Sequence, residues 1–242
     1  LMGSKRLKAI AARGSKKTPV ADGDAVQALR KEYLKELQGP MAKSLSQYGT
    51  CSDTAWSVKK GDAPVKNWSV AGVEHFPGAE KISGDAVIAY QTRKYGCWHC
   101  PIACGGLVKV AEGPYATEGH KPEYETLAAF GSNCLNDDVE SIIKVNDICN
   151  RYGLDTISTG SAIAFAMECY EKGLISVKDT DGILLRWGDT EAILAITEQI
   201  ARREGIGEVL ADGVQRAAER IGRNSAEFAV HVHGQELPMH DP

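Results

Sequence analysis

The residues that best define the architecture of this chain are Thr156-Ile-Ser-Thr-Gly-Ser-Ala-Ile-Ala-Phe-Ala-Met-Glu-Cys-Tyr-Glu-Lys172. Small and apolar side chains fill this stretch up to Glu168, so a helix formed by it has hardly any charge before that residue. A helix that is apolar on nearly all sides is buried, and small side chains let its neighbours approach closely. We therefore expect this helix at the centre of a mainly α fold.

Further helices are predicted on both sides of it, each with one apolar face. The predicted segments are 24–38, 84–95 behind a Ser83 cap, a helix from about Pro122, a helix from Asn136 or Asp137 to Gly153, 189–203 and 206–221. Apolar residues in 39–80 show neither helical nor strand periodicity, and we interpret this segment as long packed loops. Glycines recur through 105–120, which predicts a hairpin. Side chains alternate over Phe228–Val232 in the way that strand residues do, which predicts a strand. The fold class is thus mainly α, a multihelical domain with a few short strands.

The composition is that of a globular protein without excess positive charge. Of 242 residues, 43% are apolar and 25% charged, and the net charge is −4. These values exclude a disordered chain and argue against nucleic acid or an anionic membrane surface as a partner. No stretch approaches the ~18 apolar residues of a membrane span.

The seven cysteines are an odd and clustered set. Such a set is not typical of a secreted disulfide framework. It indicates a reducing compartment, which we take to be the cytoplasm, and a single metal or redox site.

Three of these cysteines form the motif Cys97-Trp-His-Cys100-Pro-Ile-Ala-Cys104. Thiolates two and three residues apart can bind one metal centre from a glycine-rich turn. The spacing suits a [4Fe–4S] cluster whose fourth ligand comes from elsewhere, although it differs from that of bacterial ferredoxins. The alternatives are zinc, with His99, Cys134 or Cys149 as the fourth ligand, and a buried structural cluster of inert thiols.

Several ordered segments resemble the aldehyde:ferredoxin oxidoreductase family of tungsten enzymes. The resemblance runs nearly from end to end, with Lys121 where the family has a glycine. The segments that carry it are 2–10, Cys97-x2-Cys100-Pro-Ile-x-Cys104, Pro122-Glu-Tyr-Glu-Thr126, Tyr152-Gly-Leu-Asp-Thr-Ile-Ser158 and Gly234-Gln-Glu-Leu-Pro-Met-His-Asp-Pro242.

The resemblance implies that the chain is a fragment of a larger enzyme. Residues 1–14 would be the tail of an N-terminal pterin-binding β domain. Residues 20–222 would be a helical middle domain with the cluster motif, and residues 223–242 would begin a C-terminal domain. The fourth cluster cysteine and the family's proposed catalytic histidine would both lie beyond residue 242.

The resemblance also implies the cofactors, partners and reaction. The cofactors would be a [4Fe–4S] cluster and a tungsten, or molybdenum, bis-pterin. The complete enzyme would oxidise a small aldehyde to a carboxylic acid and pass electrons through the cluster to ferredoxin. We consider a homodimer among its assemblies.

Individual site residues follow from the same resemblance. Asn150, Gly153, Leu154 and Asp155 fall on a pterin-contacting motif, in which a carboxylate accepts paired N–H donors from the pterin ring. Asn150 stands where the family has an aspartate, so its contact would be weaker or different. The structural alternative is a helix that ends at Gly153 and a next helix capped by Asp155. Glu125, preferred over Glu123, would be the acid–base residue.

Two rival functions remain. Within the family, the chain could belong to the tungsten subunit of a benzoyl-CoA-type reductase, which carries the same cofactors but reduces an aromatic ring. Outside it, the chain could be a zinc-stabilised helical interaction module. We interpret His231 and His233 as one face of a strand at a domain seam rather than as metal ligands.

Overall fold

The computed structural model describes residues 2–16 and 18–241. The chain divides into two compact units, Leu1–Gln38 and Gly39–Pro242. Leu1 and Pro242, which end the predicted terminal segments, lie outside the described residues.

The first unit contains one long helix, α1 (Gly23–Glu36), and a short 3-10 turn at Gly3–Lys5. The Asp22 carboxylate caps α1 by accepting a hydrogen bond from Ala25 N–H at 2.9 Å. Residues 7–16 have no regular secondary structure. Leu7–Ile10 lies in the segment that the resemblance assigns to a β domain, and it pairs with no other described residue to form a strand.

The second unit is mainly helical, as predicted. Its helices, in chain order, are α2 (Pro40–Tyr48), α3 (Thr54–Lys60), α4 (Gly84–Ile88), α5 (Tyr124–Phe130), α6 (Val139–Tyr152), α7 (Thr156–Glu171), α8 (Thr190–Arg202), α9 (Ile206–Leu210) and α10 (Val214–Ile221). The interpretation of 39–80 as loops was wrong for α2 and α3. Pro40 stands in the first turn of α2, a position where proline favours a helix, and α3 buries Thr54, Ser57 and Val58. No helix in the described part of the chain is long and apolar enough to span a bilayer.

Helix α7 lies at the centre of the core, which confirms the prediction. Every residue from Ala162 to Met167 is at most 1% exposed. Gly160 lies against α5 so closely that a Cβ there would be 2.7 Å from the Ala129 Cβ. The small side chains of α7 therefore allow the close helix contact that their pattern predicted.

A three-stranded antiparallel sheet stands beside the helices, in the order β1 (Gln91–Tyr95), β2 (Gly105–Val110), β3 (Thr117–His120). Strands β2 and β3 form the predicted hairpin, with Leu107 opposite His120. Residues 84–95 are not one helix, because α4 ends at Ile88 and Arg93–Tyr95 pair with β2. The packing of Val108 and Val110 against Ile143 of α6 attaches the sheet to the helical core.

Local capping sets the ends of several helices. Asp138, rather than Asn136 or Asp137, caps α6, and Gly153 ends it in the left-handed conformation with φ 76°. The helix predicted over 206–221 breaks into α9 and α10 before Gly213, whose φ is 87°.

The predicted strand over Phe228–Val232 was wrong. Phe228 ends a 3-10 turn, and Val232 makes only an isolated bridge to Gln235. Compact packing places residues 223–242 in the second unit. This does not bear on where a further domain of a longer enzyme begins, so the boundary at residue 223 stays a prediction.

Candidate functional site

An open cleft of about 460 Å3 lies where β1, the β3–α5 junction and the α6–α7 turn meet. Four residues singled out from the sequence line it together. The full lining is Tyr95, His120, Lys121, Glu123, Glu125, Thr126, Asn146, Asn150, Leu154, Asp155, Thr156 and Ile157. Segments about 30 residues apart in sequence thus bring Glu125, Asn150, Leu154 and Asp155 to one place.

The α6–α7 turn presents Asp155 to this cleft. Gly153 takes a left-handed conformation that costs glycine little, and its N–H donates to the Cys149 carbonyl at 2.8 Å. The turn then carries Leu154 and Asp155 past the end of α6, whereas Gly153 does not itself line the cleft.

Asp155 is exposed and caps α7 with one carboxylate oxygen. Its Oδ2 accepts a hydrogen bond from Ser158 N–H at 2.7 Å. This is the helix cap that the sequence predicted as the alternative to a pterin contact. The cap uses one oxygen, and the carboxylate can accept further bonds through the other. Asn150 is also exposed, on the last turns of α6.

Glu123 and Glu125 have different environments. Glu123 is exposed, and its Oε2 accepts a hydrogen bond from Thr50 Oγ1 at 2.5 Å. The Glu125 side chain is 31% exposed, and its Oε2 accepts a bond from Met239 N–H at 2.8 Å. Glu125 is the less exposed of the two, and the backbone bond to its Oε2 leaves Oε1 free for a proton, so this geometry favours Glu125 over Glu123 as the acid–base candidate.

Lys121 brings a buried positive charge to the same cleft. The residue is only 5% exposed. Its Nζ donates to the carbonyl oxygens of Tyr48, at 2.5 Å, and of Cys104, at 2.9 Å. The side chain therefore joins the wall of the cleft to the end of the cysteine loop.

The three motif cysteines lie on the loop between β1 and β2. Cys97 is exposed, whereas Cys100 and Cys104 are half-buried. The loop turns tightly, with Cys100 N–H donating to the Cys97 carbonyl at 3.0 Å and with positive φ at His99 and Ala103. Backbone N–H groups of Ala103 and Ile102 lower the pKa of the Cys100 thiol by hydrogen bonding.

The donor chemistry of this loop fits a thiolate-bound cluster. Three soft sulfur ligands share one turn, and backbone N–H groups already point at one of the sulfurs, as they do around iron–sulfur clusters. The side chains do not converge further, since no group of three or more His, Cys, Asp or Glu residues in 2–16 and 18–241 is arranged to hold a metal ion.

Two of the three fourth ligands considered for zinc are in the core. Cys134 is completely buried and donates its S–H to the Ala129 carbonyl at 3.3 Å. Cys149 is also completely buried, and burial raises the pKa of its thiol to about 12. Neither thiol is available to the loop, so His99 is the remaining candidate for the fourth zinc ligand. Its ring is exposed and lies edge-on to the Trp98 ring, with the ring centroids 4.0 Å apart.

Sequence analysis assigned no function to three residues at or beside the site. Lys121 was noted only as a departure from a family glycine. Asp62 carried no signal at all. His240 lies in a segment quoted for the resemblance, but its position 2.9 Å from Asp62 required the tertiary structure.

Comparison with known proteins places this geometry in context. The family model described as "Aldehyde ferredoxin oxidoreductase, domains 2 & 3" matches residues 27–242. The tungsten-containing aldehyde ferredoxin oxidoreductase of Pyrococcus furiosus is 42% identical over 246 residues, covering 100% of this chain and 39% of the relative. The enzyme of the same name from Thermococcus kodakarensis is 41% identical with the same coverage.

Two other similarities are more distant. The aliphatic sulfonate oxidoreductase, WOR-like subunit, of Pyrococcus furiosus is 33% identical over 99% of this chain. Among solved structures, the active-site complex BamBC of benzoyl coenzyme A reductase matches with a TM-score of 0.79 and 23% identity, covering 98% of this chain and 37% of that one. At that identity the similarity concerns the fold. The chain spans about 39% of the length of the curated relatives it matches.

Proposed function

The chain belongs to the aldehyde ferredoxin oxidoreductase family, and from this membership we propose that the complete protein oxidises an aldehyde to a carboxylic acid and delivers the electrons to ferredoxin. The observation that carries the proposal is the cleft in which Glu125, Asn150, Leu154 and Asp155 meet. These residues come from two segments with the family's motifs, and the cleft borders the cysteine loop through Lys121.

The overall reaction consumes water and releases two electrons and two protons, RCHO + H2O → RCOOH + 2 H+ + 2 e−. A tungsten bis-pterin group, when bound, would supply the oxygen transfer and take up the electron pair. The protein must orient the aldehyde and manage the protons. Glu125 is suited to hold a proton at Oε1, because Met239 N–H occupies its Oε2.

The cleft has the acceptors that a pterin edge requires. Paired N–H donors of the ring would bind a carboxylate, and Asp155 offers one beside the amide of Asn150. An amide accepts through a single uncharged oxygen, so Asn150 would contribute less than the aspartate of the family motif. Leu154 would give the ring an apolar contact. Gly153 would hold the turn that directs Leu154 and Asp155 toward the ring.

Cys97, Cys100 and Cys104 would bind three corners of a [4Fe–4S] cluster. Such a cluster passes one electron at a time, so the pair from the aldehyde would leave in two steps to ferredoxin. The zinc module is the less favoured reading, because Cys134 and Cys149 are enclosed in the core. A homodimer, and tungsten rather than molybdenum as the metal, stay predictions for the complete enzyme.

The proposal is tested by anaerobic purification of the complete protein and an assay of aldehyde-dependent ferredoxin reduction. Glu125→Gln should lower kcat by about 100-fold or more, the usual contribution of an acid–base group. Glu198→Gln, in an exposed pair with Arg202, is the matched control and should leave kcat unchanged. Absence of aldehyde oxidation in protein with a full tungsten content would contradict the proposal. Reduction of an aromatic acyl-CoA by that same protein would support the benzoyl-CoA-type alternative.

A further inference from the structure

Asp62, His240 and Glu125 form a line that leads from solvent to the cleft. His240 Nδ1 lies 2.9 Å from Asp62 Oδ2, and His240 Nε2 lies 3.8 Å from Glu125 Oε1. The three residues are far apart in sequence. Backbone hydrogen bonds of Met239, the neighbour of His240, also hold this segment in place.

We propose that His240, oriented by Asp62, accepts the proton that Glu125 takes up during turnover and releases it to solvent. This inference rests on the proposed aldehyde oxidation and assigns a proton exit from the same site. It gives a role to Asp62, which lies outside the segments that resemble the family, and to His240, which lies in such a segment without an assigned function.

The hydrogen bond to Asp62 defines the tautomer of the imidazole. A carboxylate can only accept, so the hydrogen of this bond is on Nδ1, and Nε2 of the neutral ring is the accepting nitrogen. That nitrogen is the one nearer Glu125. The 3.8 Å separation is somewhat longer than a hydrogen bond, so a small side-chain rotation or one bridging water would complete the transfer.

The backbone beside His240 holds both partners in place. Met239 N–H donates to Glu125 Oε2 at 2.8 Å, and Tyr124 Oη donates to the Met239 carbonyl at 2.5 Å. The Tyr124 ring also stacks on the imidazole, with centroids 4.5 Å apart and an interplanar angle of 24°. These contacts direct the free oxygen of Glu125 toward His240.

The proton balance of the step is simple. The Oε1–H bond of protonated Glu125 breaks, and an Nε2–H bond forms on His240. The resulting imidazolium is stabilised by the Asp62 carboxylate. Its Nε2–H then passes to water, which can reach the ring because the His240 side chain is 49% exposed. Glu125 is thereby returned to its carboxylate form for the next turnover.

Other charged groups lie near Glu125 and His240. Lys121, Glu123 and Asp155 line the cleft, and Asp53 lies near enough to Tyr124 to act on it electrostatically. Asp241 follows His240 directly, and its backbone N–H donates to the Asp62 carbonyl at 2.8 Å. A variant that changes only Asp62 leaves all of these groups in place.

The test compares His240→Gln, Asp62→Asn and the exposed control His75→Gln in the complete, cofactor-loaded enzyme. We expect His240→Gln to lower kcat about 10-fold or more with little change in KM and in metal content, and added imidazole to restore part of the loss. Asp62→Asn should also lower kcat with little change in KM. The reason is that an amide can donate to Nδ1 as well as accept from it, so the tautomer in which Nε2 accepts is no longer fixed. His75→Gln should behave as the parent enzyme.

Two outcomes would overturn the inference. The first is an unchanged kcat in both variants while Glu125→Gln is inactive, which would leave the proposed function intact. The second does not depend on turnover: nitrogen-15 NMR of histidine-labelled protein should show the neutral His240 ring with its hydrogen on Nδ1, the nitrogen beside Asp62. A hydrogen on Nε2 instead would refute the role of Asp62 even if the enzyme oxidises no aldehyde. If the enzyme oxidises no aldehyde, the proposed function is contradicted by that result alone.

Discussion

The ammonium group of Lys121 donates a hydrogen bond to the carbonyl oxygen of Cys104 at 2.9 Å. It also donates to Tyr48 at the end of α2, and the residue is almost completely buried. One side chain thus ties the last cysteine of the loop to the helical core and to the cleft. A buried charge held in this way is costly to disturb, because its removal deprives two carbonyl oxygens of a charged donor.

Substitution of Lys121 by methionine should loosen this connection. Lys121→Met keeps most of the side-chain volume but leaves two carbonyls without their donor, so we expect the free energy of unfolding to fall by about 1–3 kcal/mol. Lys94→Met is the matched control, since Lys94 Nζ donates a hydrogen bond to Ser46 Oγ at 3.1 Å at the surface. Urea denaturation gives the stability, and hydrogen exchange of residues 97–106 should accelerate in Lys121→Met alone. Equal effects of the two variants would contradict this role.

The seven thiols should fall into two reactivity classes in metal-free protein. Alkylation at pH 8 should modify Cys97, Cys100 and Cys104 within minutes, because Cys97 is exposed and the other two are only half-buried. The other four are buried, and burial raises the pKa of Cys51 to about 11 and those of Cys149 and Cys169 to about 12, with that of Cys134 also raised. A pKa of about 11 leaves roughly one thiolate in a thousand at pH 8. Peptide mass mapping with and without denaturant checks this, and rapid native-state labelling of Cys134 would be inconsistent with the core.

Anaerobically prepared complete protein should contain iron that depends on the loop cysteines. Cys100→Ser replaces a soft thiolate by a hydroxyl, so we expect loss of most of the iron. Cys169→Ala, on the buried face of α7, is the control and should keep its iron despite some loss of stability. Elemental analysis measures both. Stoichiometric zinc without iron in the parent protein would support the zinc alternative instead.

Asp155 can be tested separately as a helix cap and as a ligand for the pterin. Asp155→Asn keeps the cap, since asparagine and aspartate cap about equally well, but it removes the charge. Asp189→Asn is closely matched, because Asp189 caps α8 through a bond from Ala192 N–H at 3.0 Å and lies outside the cleft. We expect similar stability for both variants and a loss of pterin content and activity only in Asp155→Asn. Unaltered pterin content in that variant would reduce Asp155 to a helix cap.

The contact between α5 and α7 should not tolerate a methyl group. A Cβ on Gly160 would lie 2.7–2.8 Å from the side chain and backbone of Ala129, so Gly160→Ala should destabilise the second unit by about 1–3 kcal/mol. Gly23→Ala, where a Cβ would meet nothing within 4 Å, serves as the control and should be neutral. Thermal melting monitored by circular dichroism distinguishes them. A melting temperature of Gly160→Ala equal to that of the parent would show that the two helices can separate.

Much of the framework follows from patterns that are local along the chain. The apolar run of α7, the left-handed Gly153 and the caps at Ser83, Asp155 and Asp189 each depend on residues within one or two helical turns. Such signals act before distant segments meet, so helix positions and the turn beside Asp155 could be read directly. The cysteine spacing is local for the same reason, and it restricts the chemistry of the loop to soft metals.

The remaining features depend on contacts between residues far apart in sequence. Residues 91–95 became a strand because β2 offered backbone partners, whereas Phe228–Val232 stayed irregular because, in the described part of the chain, it gains only the isolated bridge from Val232 to Gln235. The choice of Glu125 over Glu123 required Met239, and the position of His240 required Asp62, 178 residues away. Likewise, only the folded chain buries Lys121 against Cys104. Hydrogen bonds and burial of this kind arise from packing in three dimensions, so no pattern of neighbouring residues could have revealed them.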